Sequence, residues 1–213
     1  MVPLTLPLVD FLLSAAAQVA LDELADQDLG EQASLDLLTR LRRTWPAEQA
    51  AALLDQARLR RKAGDKFPHP ERLLFTDDAL QQASSRAVAA YRAQAFVKAL
   101  DRSPLPAPHS FYRVADLGCG LGADTIALAQ AGLHVLAVER DPVRARMAVE
   151  NLAVLGLAWQ VRVVCADWRR LWPDFPQIGS DGAPWQDIRA AFIDPSRRAG
   201  EQRIFRLDAM EPP

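Results

Sequence analysis

The run Asp116-Leu117-Gly118-Cys119-Gly120-Leu121-Gly122 sets a carboxylate ahead of three glycines spaced at every second residue, directly after the apolar Val114-Ala115. Glycines so spaced permit a tight turn and a close backbone approach to a ligand, while the amides opening the helix that follows bind polar groups. As a bare pattern, Gly118, Gly120 and Ala123 also fit the dinucleotide fingerprint, so the glycines do not separate NAD from other adenosine-containing ligands. Asp116 separates them. An acid at this point repels a pyrophosphate, whereas S-adenosylmethionine has no phosphate and carries ammonium and sulfonium cations.

Two further acids stand where such a loop needs them. Glu139 follows the apolar Leu133 to Val138, at the place where a doubly wound fold presents a carboxylate to both ribose hydroxyls. The plainer reading makes it a charged residue before the turn at Asp141-Pro142. Asp141 itself reads as a helix N-cap with proline at the first helical position. Asp167, in Cys165-Ala166-Asp167-Trp168, is explained equally by a short polar turn.

Asp116, Gly118, Gly120 and Gly122 match the pattern D-x-G-x-G-x-G, and with it the chain resembles the class I S-adenosylmethionine-dependent methyltransferases. The resemblance implies that Asp167 accepts from the adenine amine. It also implies that Asp194 and Pro195, in Asp194-Pro195-Ser196-Arg197-Arg198, orient the methyl acceptor. Many amine methyltransferases carry Asp/Asn-Pro-Pro-aromatic at this place, where a side chain and a backbone carbonyl accept from the target amino group. Here Ser196 replaces the second proline and Arg197 the aromatic residue, which removes the ring that stacks on a base. A nucleobase acceptor would then need Phe67, Phe75, Trp168 or Trp185 as its platform.

Asp-Pro-Ser-Arg-Arg is also similar to a bacterial group, often with a THUMP-like C-terminal region, related to the trimethylguanosine-synthase type of RNA guanine-N2 methyltransferase. That similarity extends through Lys66-Phe67, Leu74-Phe75-Thr76 and Ala79 to Ser84. In such proteins the segment before the long helix lies over the cofactor, which implies site roles for Phe75, Thr76 and Gln82. Arg197 and Arg198 read either as phosphate contacts or as members of surface ion pairs.

The elements that must position these residues fall into two parts. Residues 1–64 read as a helical domain, with helices from Asp10 (N-cap) to Ala25, from Glu31 to Arg43, and from Pro46 to the cations Arg58, Arg60, Arg61 and Lys62. Those cations suit the negative end of a helix better than they identify a phosphate site. A long helix is expected from Thr76 to about Leu100, with Leu80, Ala83, Ala87 and Tyr91 as its buried stripe. After the proline-rich Ser103 to Ser110, strands are expected near Phe111 to Leu117, Leu133 to Val138, Gln160 to Cys165 and Ile188 to Asp194. Helices near Ala123 to Ala131 and Pro142 to Leu155 alternate with them. Residues 65–213 therefore read as a Rossmann-like α/β domain: a parallel sheet in the order 3-2-1-4, helices on both faces, and ligands at the carboxyl ends of the strands.

Only 19 residues follow Asp194, fewer than one further strand-helix-strand step of roughly 30 residues requires. The sheet is thus expected to be truncated after its fourth strand, with a missing C-terminal segment or a partner chain covering that edge. Weak cofactor binding and poor turnover by the isolated chain follow from the same expectation.

The bulk numbers bound the rest. A formal charge of −2 argues against a protein that holds nucleic acid by a general positive field. Two cysteines form neither a disulfide framework nor a metal set, and fit a reducing cytoplasm. The apolar Leu4 to Leu21 lacks a basic start and contains Asp10, so it reads as a buried helix rather than a signal peptide or membrane span. The expected activity is methyl transfer from S-adenosylmethionine to a nitrogen of an RNA base. The alternatives are a small-molecule or protein acceptor, a non-catalytic cofactor-binding fragment and, least favoured, an NAD enzyme.

Overall fold

The computed structural model describes residues 1–102, 113–171, 188–193, 198–199 and 202–203. Its first part is helical. Thr5 caps α1 (Leu6–Leu13) by accepting from the Leu8 amide, and Ser14 ends that helix and opens α2 (Ala15–Ala25) by accepting from the Ala17 amide. The single helix expected from Asp10 to Ala25 is therefore two. Ser14 is extended (φ −64°, ψ 148°), and its hydroxyl satisfies an amide that a continuous helix would have bonded internally.

Helices α3 (Glu31–Leu41) and α4 (Ala47–Lys62) complete the bundle. Two of the cations at the end of α4, Arg60 and Arg61, are structural. Arg61 donates to the carbonyls of Leu24, Ala25 and Gln27, closing the end of α2. Arg60 is buried, with Nε 3.0 Å from the Leu73 carbonyl and Nη2 3.1 Å from Gln18 Oε1. Burial pulls its pKa down to about 10, against the opposing pull of the Asp22 and Glu71 charges.

The long helix expected from Thr76 is also interrupted. Helix α5 (Asp77–Gln82) is capped by Thr76 and stops at Ala83, and Ser85 then caps α6 (Arg86–Asp101) by accepting from the Val88 amide. The break resets the helical phase. Ala89 and Ala93 become the buried positions, while Tyr91, expected in the buried stripe, is 78% exposed.

The sheet has the expected order. β1 (Arg113–Leu117) lies between β2 (His134–Glu139) and β4 (Ile188–Ile193), and β3 (Val161–Cys165) flanks β2, all parallel, giving 3-2-1-4. Helix α7 (Ala123–Gln130) links β1 to β2, and α8 (Pro142–Val154) links β2 to β3. Both pack on one face, with Ile126, Ala129, Met147 and Leu152 in the same core cluster as Val114, Val135 and Ala137. Stepping from β1 to β3 in one direction keeps right-handed crossovers on a single side. The expectation of helices on both faces is met on this face by α7 and α8. The opposite face carries Ala115, Leu117, Leu136 and Val138, packed with Trp168 of the short α9 (Trp168–Leu171). A two-residue antiparallel pair, β5 (Arg198–Ala199) with β6 (Gln202–Arg203), is separate from the sheet.

One core cluster joins the bundle to the sheet, running from Leu12, Leu21 and Leu53 through Leu74 and Phe75 to Ile126 and Met147. At the seam Leu73, Leu74 and Phe75 are buried and lie outside any helix or strand, so their backbone polar groups need partners. Gln56 of α4 supplies both for Phe75, accepting from its amide at 2.9 Å and donating to its carbonyl. Asn151 of α8 does the same for Leu74, at 2.8 Å and 3.1 Å. Among the described residues, no helix is long and apolar enough to cross a membrane.

Candidate cofactor site

The carboxyl ends of β1, β2 and β3 form the site. Gly118, Gly120 and Gly122 all have positive φ (+91°, +58° and +91°), which only glycine adopts freely. The amides of Gly118 and Cys119 both donate to the Val138 carbonyl, at 2.8 Å and 3.0 Å, and the Gly122 amide donates to Cys119 at 2.9 Å. The turn is thereby folded onto the end of β2 before α7 begins.

Glu139 is the last residue of β2 and only 6% exposed. Its Oε2 accepts from the Gly120 amide and its Oε1 from the Asp141 amide, both at 2.9 Å. A carboxylate has about four acceptor sites, so two backbone amides fix its orientation and leave capacity for a diol. Asp141 then caps α8, accepting from Val143 and Arg144 at 2.8 Å and 3.0 Å, as expected from its sequence.

Asp116 lies deeper than its place in the motif implies. It is 2% exposed and accepts from the hydroxyl of the fully buried Thr125 on α7. Its charge therefore acts on the loop from beneath rather than lining the mouth. The buried Cys119 thiol registers this field: desolvation pushes its pKa well up, and the charges of Asp116 and then Glu139 push the same way. Both acids thus bear on one loop.

Asp167 follows β3 along the same edge, where the Ala166 amide donates to the Glu139 carbonyl at 2.9 Å. Its carboxylate is engaged by Arg169, through the amide at 3.1 Å, Nε at 3.0 Å and Nη2 at 2.8 Å. Hydrogen bonds from Arg169 hold its pKa down to about 2. Phe75, expected at the substrate, is instead in the core at 0% exposure, edge-on to the equally buried Phe67 with ring centroids 5.1 Å apart. Neither ring presents a face to a base. Thr76 caps α5, and Gln82 donates to Asp78 at 2.8 Å. Asp194, Pro195, Ser196, Arg197 and Trp185 lie outside the described residues, and β4 is described as far as Ile193, paired with Leu117.

Sequence reasoning missed Thr125, Gln56, Asn151 and Arg92. The N-cap-like Asp124-Thr125 pair after the glycines was the one local signal for Thr125. The others answer partners far away in the chain.

Comparison with known proteins agrees with this edge. Residues 114–182 match the family model described as a methyltransferase domain. With the 3-2-1-4 sheet, that decides the fold. The sheet half is a Rossmann-like methyltransferase fold. Residues 5–63 match a model described as a domain of unknown function, DUF8688.

An uncharacterized S-adenosylmethionine-dependent methyltransferase of Mycobacterium tuberculosis, with the same figures in two strains, is 30% identical over 171 residues, covering 78% of this chain and 40% of the relative. The 23S rRNA (uracil(1939)-C(5))-methyltransferase RlmD of Acidithiobacillus ferrooxidans is 36% identical over 94 residues, covering 44% of this chain and 19% of that protein. A crystal structure of a proposed methyltransferase from Porphyromonas gingivalis W83 superposes with a TM-score of 0.54 at 20% identity, covering 78% of this chain and 39% of that one. The chain spans about 40% of the length of the first curated relatives it matches.

S-adenosylmethionine is the cofactor named for the mycobacterial relative, and the methyltransferase edge fits it. Among the described residues, a Cβ placed on Gly118 or Gly120 would meet nothing within 4 Å, so none of them fills the space beside those two positions. Glu139 is bonded to the loop and Asp116 lies beneath it, while Gly118 is exposed, a setting for a cation-bearing, ribose-containing ligand.

Proposed function

We propose that this chain is the cofactor-binding portion of an S-adenosylmethionine-dependent methyltransferase that methylates a nitrogen of an RNA base. The observation that carries the cofactor half is the bond from the Gly120 amide to Glu139. It locks the glycine turn and the ribose-seeking carboxylate into one preorganised unit, and no described residue lies within 4 Å of a Cβ built on Gly118 or Gly120. In this reading Glu139 accepts from the ribose hydroxyls, Asp116 and Glu139 offset the cofactor's positive charge, and Asp167 accepts from the adenine amine. When bound, S-adenosylmethionine would supply an electrophilic methyl group. The side chain of Asp194 and the carbonyl of Pro195 would accept from the acceptor amino group and so orient its lone pair for transfer, the proton lost from nitrogen passing to solvent.

RNA as the acceptor is supported by the partial identity to an rRNA methyltransferase and by Asp194-Pro195-Ser196-Arg197-Arg198, which offers cations for phosphate. Phe75 leaves the reading as a stacking platform, and Arg197 stays in it. The outer edge of β4, where Ile193 is 41% exposed, is in this reading covered by further chain or by a partner.

Calorimetry tests the cofactor half. S-adenosylhomocysteine should bind and NADH should not; preferential NADH binding, or none of either, overturns it. Labelled S-adenosylmethionine incubated with the protein and total RNA, protein extract or small metabolites tests the acceptor. Label in the protein or metabolite fraction alone replaces RNA as the substrate.

A further inference from the structure

Arg92 has no part in the reading above, yet it joins three elements. It lies on α6, and its Nη1 donates to Asp124 Oδ1 at 2.9 Å on the first turn of α7 and to Ser84 Oγ at 2.7 Å in the joint before α6. Its guanidinium carbon stands 4.9 Å from the centroid of the Phe192 ring on β4. Asp124 comes two residues after Gly122, and Phe192 two residues before Asp194. Phe192 is also the register partner of Asp116. A single side chain therefore bridges the helix that starts at the glycine loop and the strand that leads to the acceptor motif.

Arginine suits this place for a geometric reason. Its guanidinium donates through Nη1 to Asp124 and Ser84 while its carbon lies over the Phe192 ring, within cation–π range. A lysine ammonium can keep the ion pair but has no planar face to stack. The guanidinium is about a third exposed, so the ion pair and the ring contact add little to global stability. Position is a different matter. In an in-line transfer, a displacement of about 1 Å between reacting groups costs on the order of 100-fold in rate.

We propose that Arg92 is a positioning residue for methyl transfer, fixing the end of β4 at a set offset from the glycine loop so that acceptor and methyl donor meet in line. The proposal rests on the methyltransferase reading of this site. Its test compares Arg92→Lys and Arg92→Met with the wild type by three measurements: S-adenosylhomocysteine affinity, steady-state methyl transfer to RNA, and amide hydrogen exchange over residues 188–193 and 134–139.

Affinity per folded molecule should stay within about twofold, because Arg92 contacts none of the loop glycines. The kcat should fall about tenfold or more in both variants with acceptor KM little changed, and exchange should rise in β4 but not in β2. Arg92→Lys keeps the charge and guards against mere misfolding. Wild-type kcat in both variants, or exchange in β4 unchanged in both, overturns the proposal. So does a kcat loss matched by an equal loss of cofactor affinity. A wild-type protein that binds no S-adenosylhomocysteine overturns the reading of the site itself, and this control tells the two failures apart.

Discussion

The glycine loop and the seam at Leu73-Leu74-Phe75 solve the same problem with opposite results. Each is a stretch of backbone whose polar groups are answered by side chains from other elements. At the loop, one carboxylate, Glu139, takes the Gly120 amide, and no described residue fills the space beside Gly118 and Gly120. At the seam, two amides and two carbonyls are taken by Gln56 and Asn151, Arg60 takes the Leu73 carbonyl, and the backbone is sealed into the core. The difference separates binding from cohesion: the loop leaves acceptor capacity for a ligand, and the seam uses all it has to join the helical bundle to the sheet.

The seam predicts the largest effect. Asn151→Leu keeps the volume but strands the buried amide and carbonyl of Leu74, at about 1–3 kcal/mol for each group. Denaturant unfolding should therefore show a loss of about 2–6 kcal/mol, while S-adenosylhomocysteine affinity of the folded fraction stays within about twofold. A loss under 1 kcal/mol would mean that the seam is not what couples the two parts. Glu139→Gln should act mainly on binding. Removing the charge weakens a charge-assisted acceptor worth about 1.5–3 kcal/mol, so the dissociation constant should rise roughly 10- to 100-fold, and because Gln keeps only one acceptor oxygen, the Gly120 or the Asp141 amide loses its partner and unfolding stability should fall by about 1–3 kcal/mol. Equal affinity in the variant would remove Glu139 from the cofactor site.

The same contrast explains what the sequence made legible. The glycine turn, the acid ending β2, the Asp141-Pro142 cap and the 3-2-1-4 order follow from residues that are adjacent or periodic in the chain. The bonds of the seam link residues 19 and 77 apart, and no local pattern announces them. The residues around Phe75 resemble a motif whose members face substrate, but its ring lies in the core, with Gln56 holding the backbone of Phe75 itself and Asn151 that of Leu74. Ser14 and Ser85 split two expected helices, since a serine that can cap competes with helix continuation and hydrophobic spacing does not record it. Asp116 was recognised by type and position, but its burial depends on Thr125.

The two cysteines offer a smaller test of the loop. Cys119 is buried beneath the glycines with its thiol pushed well up by desolvation and by the neighbouring acids, while Cys165 is exposed at the end of β3. Since the thiolate is the reactive form, a thiol reagent at pH 8 should label Cys165 promptly and leave Cys119 unreacted until unfolding. Fast labelling of both would mean that the loop opens readily and that the preorganisation inferred from Glu139 is overstated.

The smallest effect separates the two acids at the methyltransferase edge. Glu139 is held by backbone amides, which no single substitution removes, whereas Asp167 is held by the side chain and amide of Arg169. An acid with a depressed folded pKa contributes stability that is present above its unfolded value of about 3.9 and is lost as pH falls through the folded value, here about 2. Between pH 6 and 8 the carboxylate is fully ionised either way, so stability and cofactor affinity should show no pH dependence from this residue. Arg169→Gln should move the Asp167 titration, followed by NMR, upward toward the ordinary aspartate range. Cofactor affinity at pH 7 should then hold or rise slightly, because a carboxylate released from the guanidinium is freer to accept from an adenine amine. A clear fall in affinity would mean that Arg169 itself contacts the ligand, and would turn the local turn around Asp167 from scaffold into binding surface.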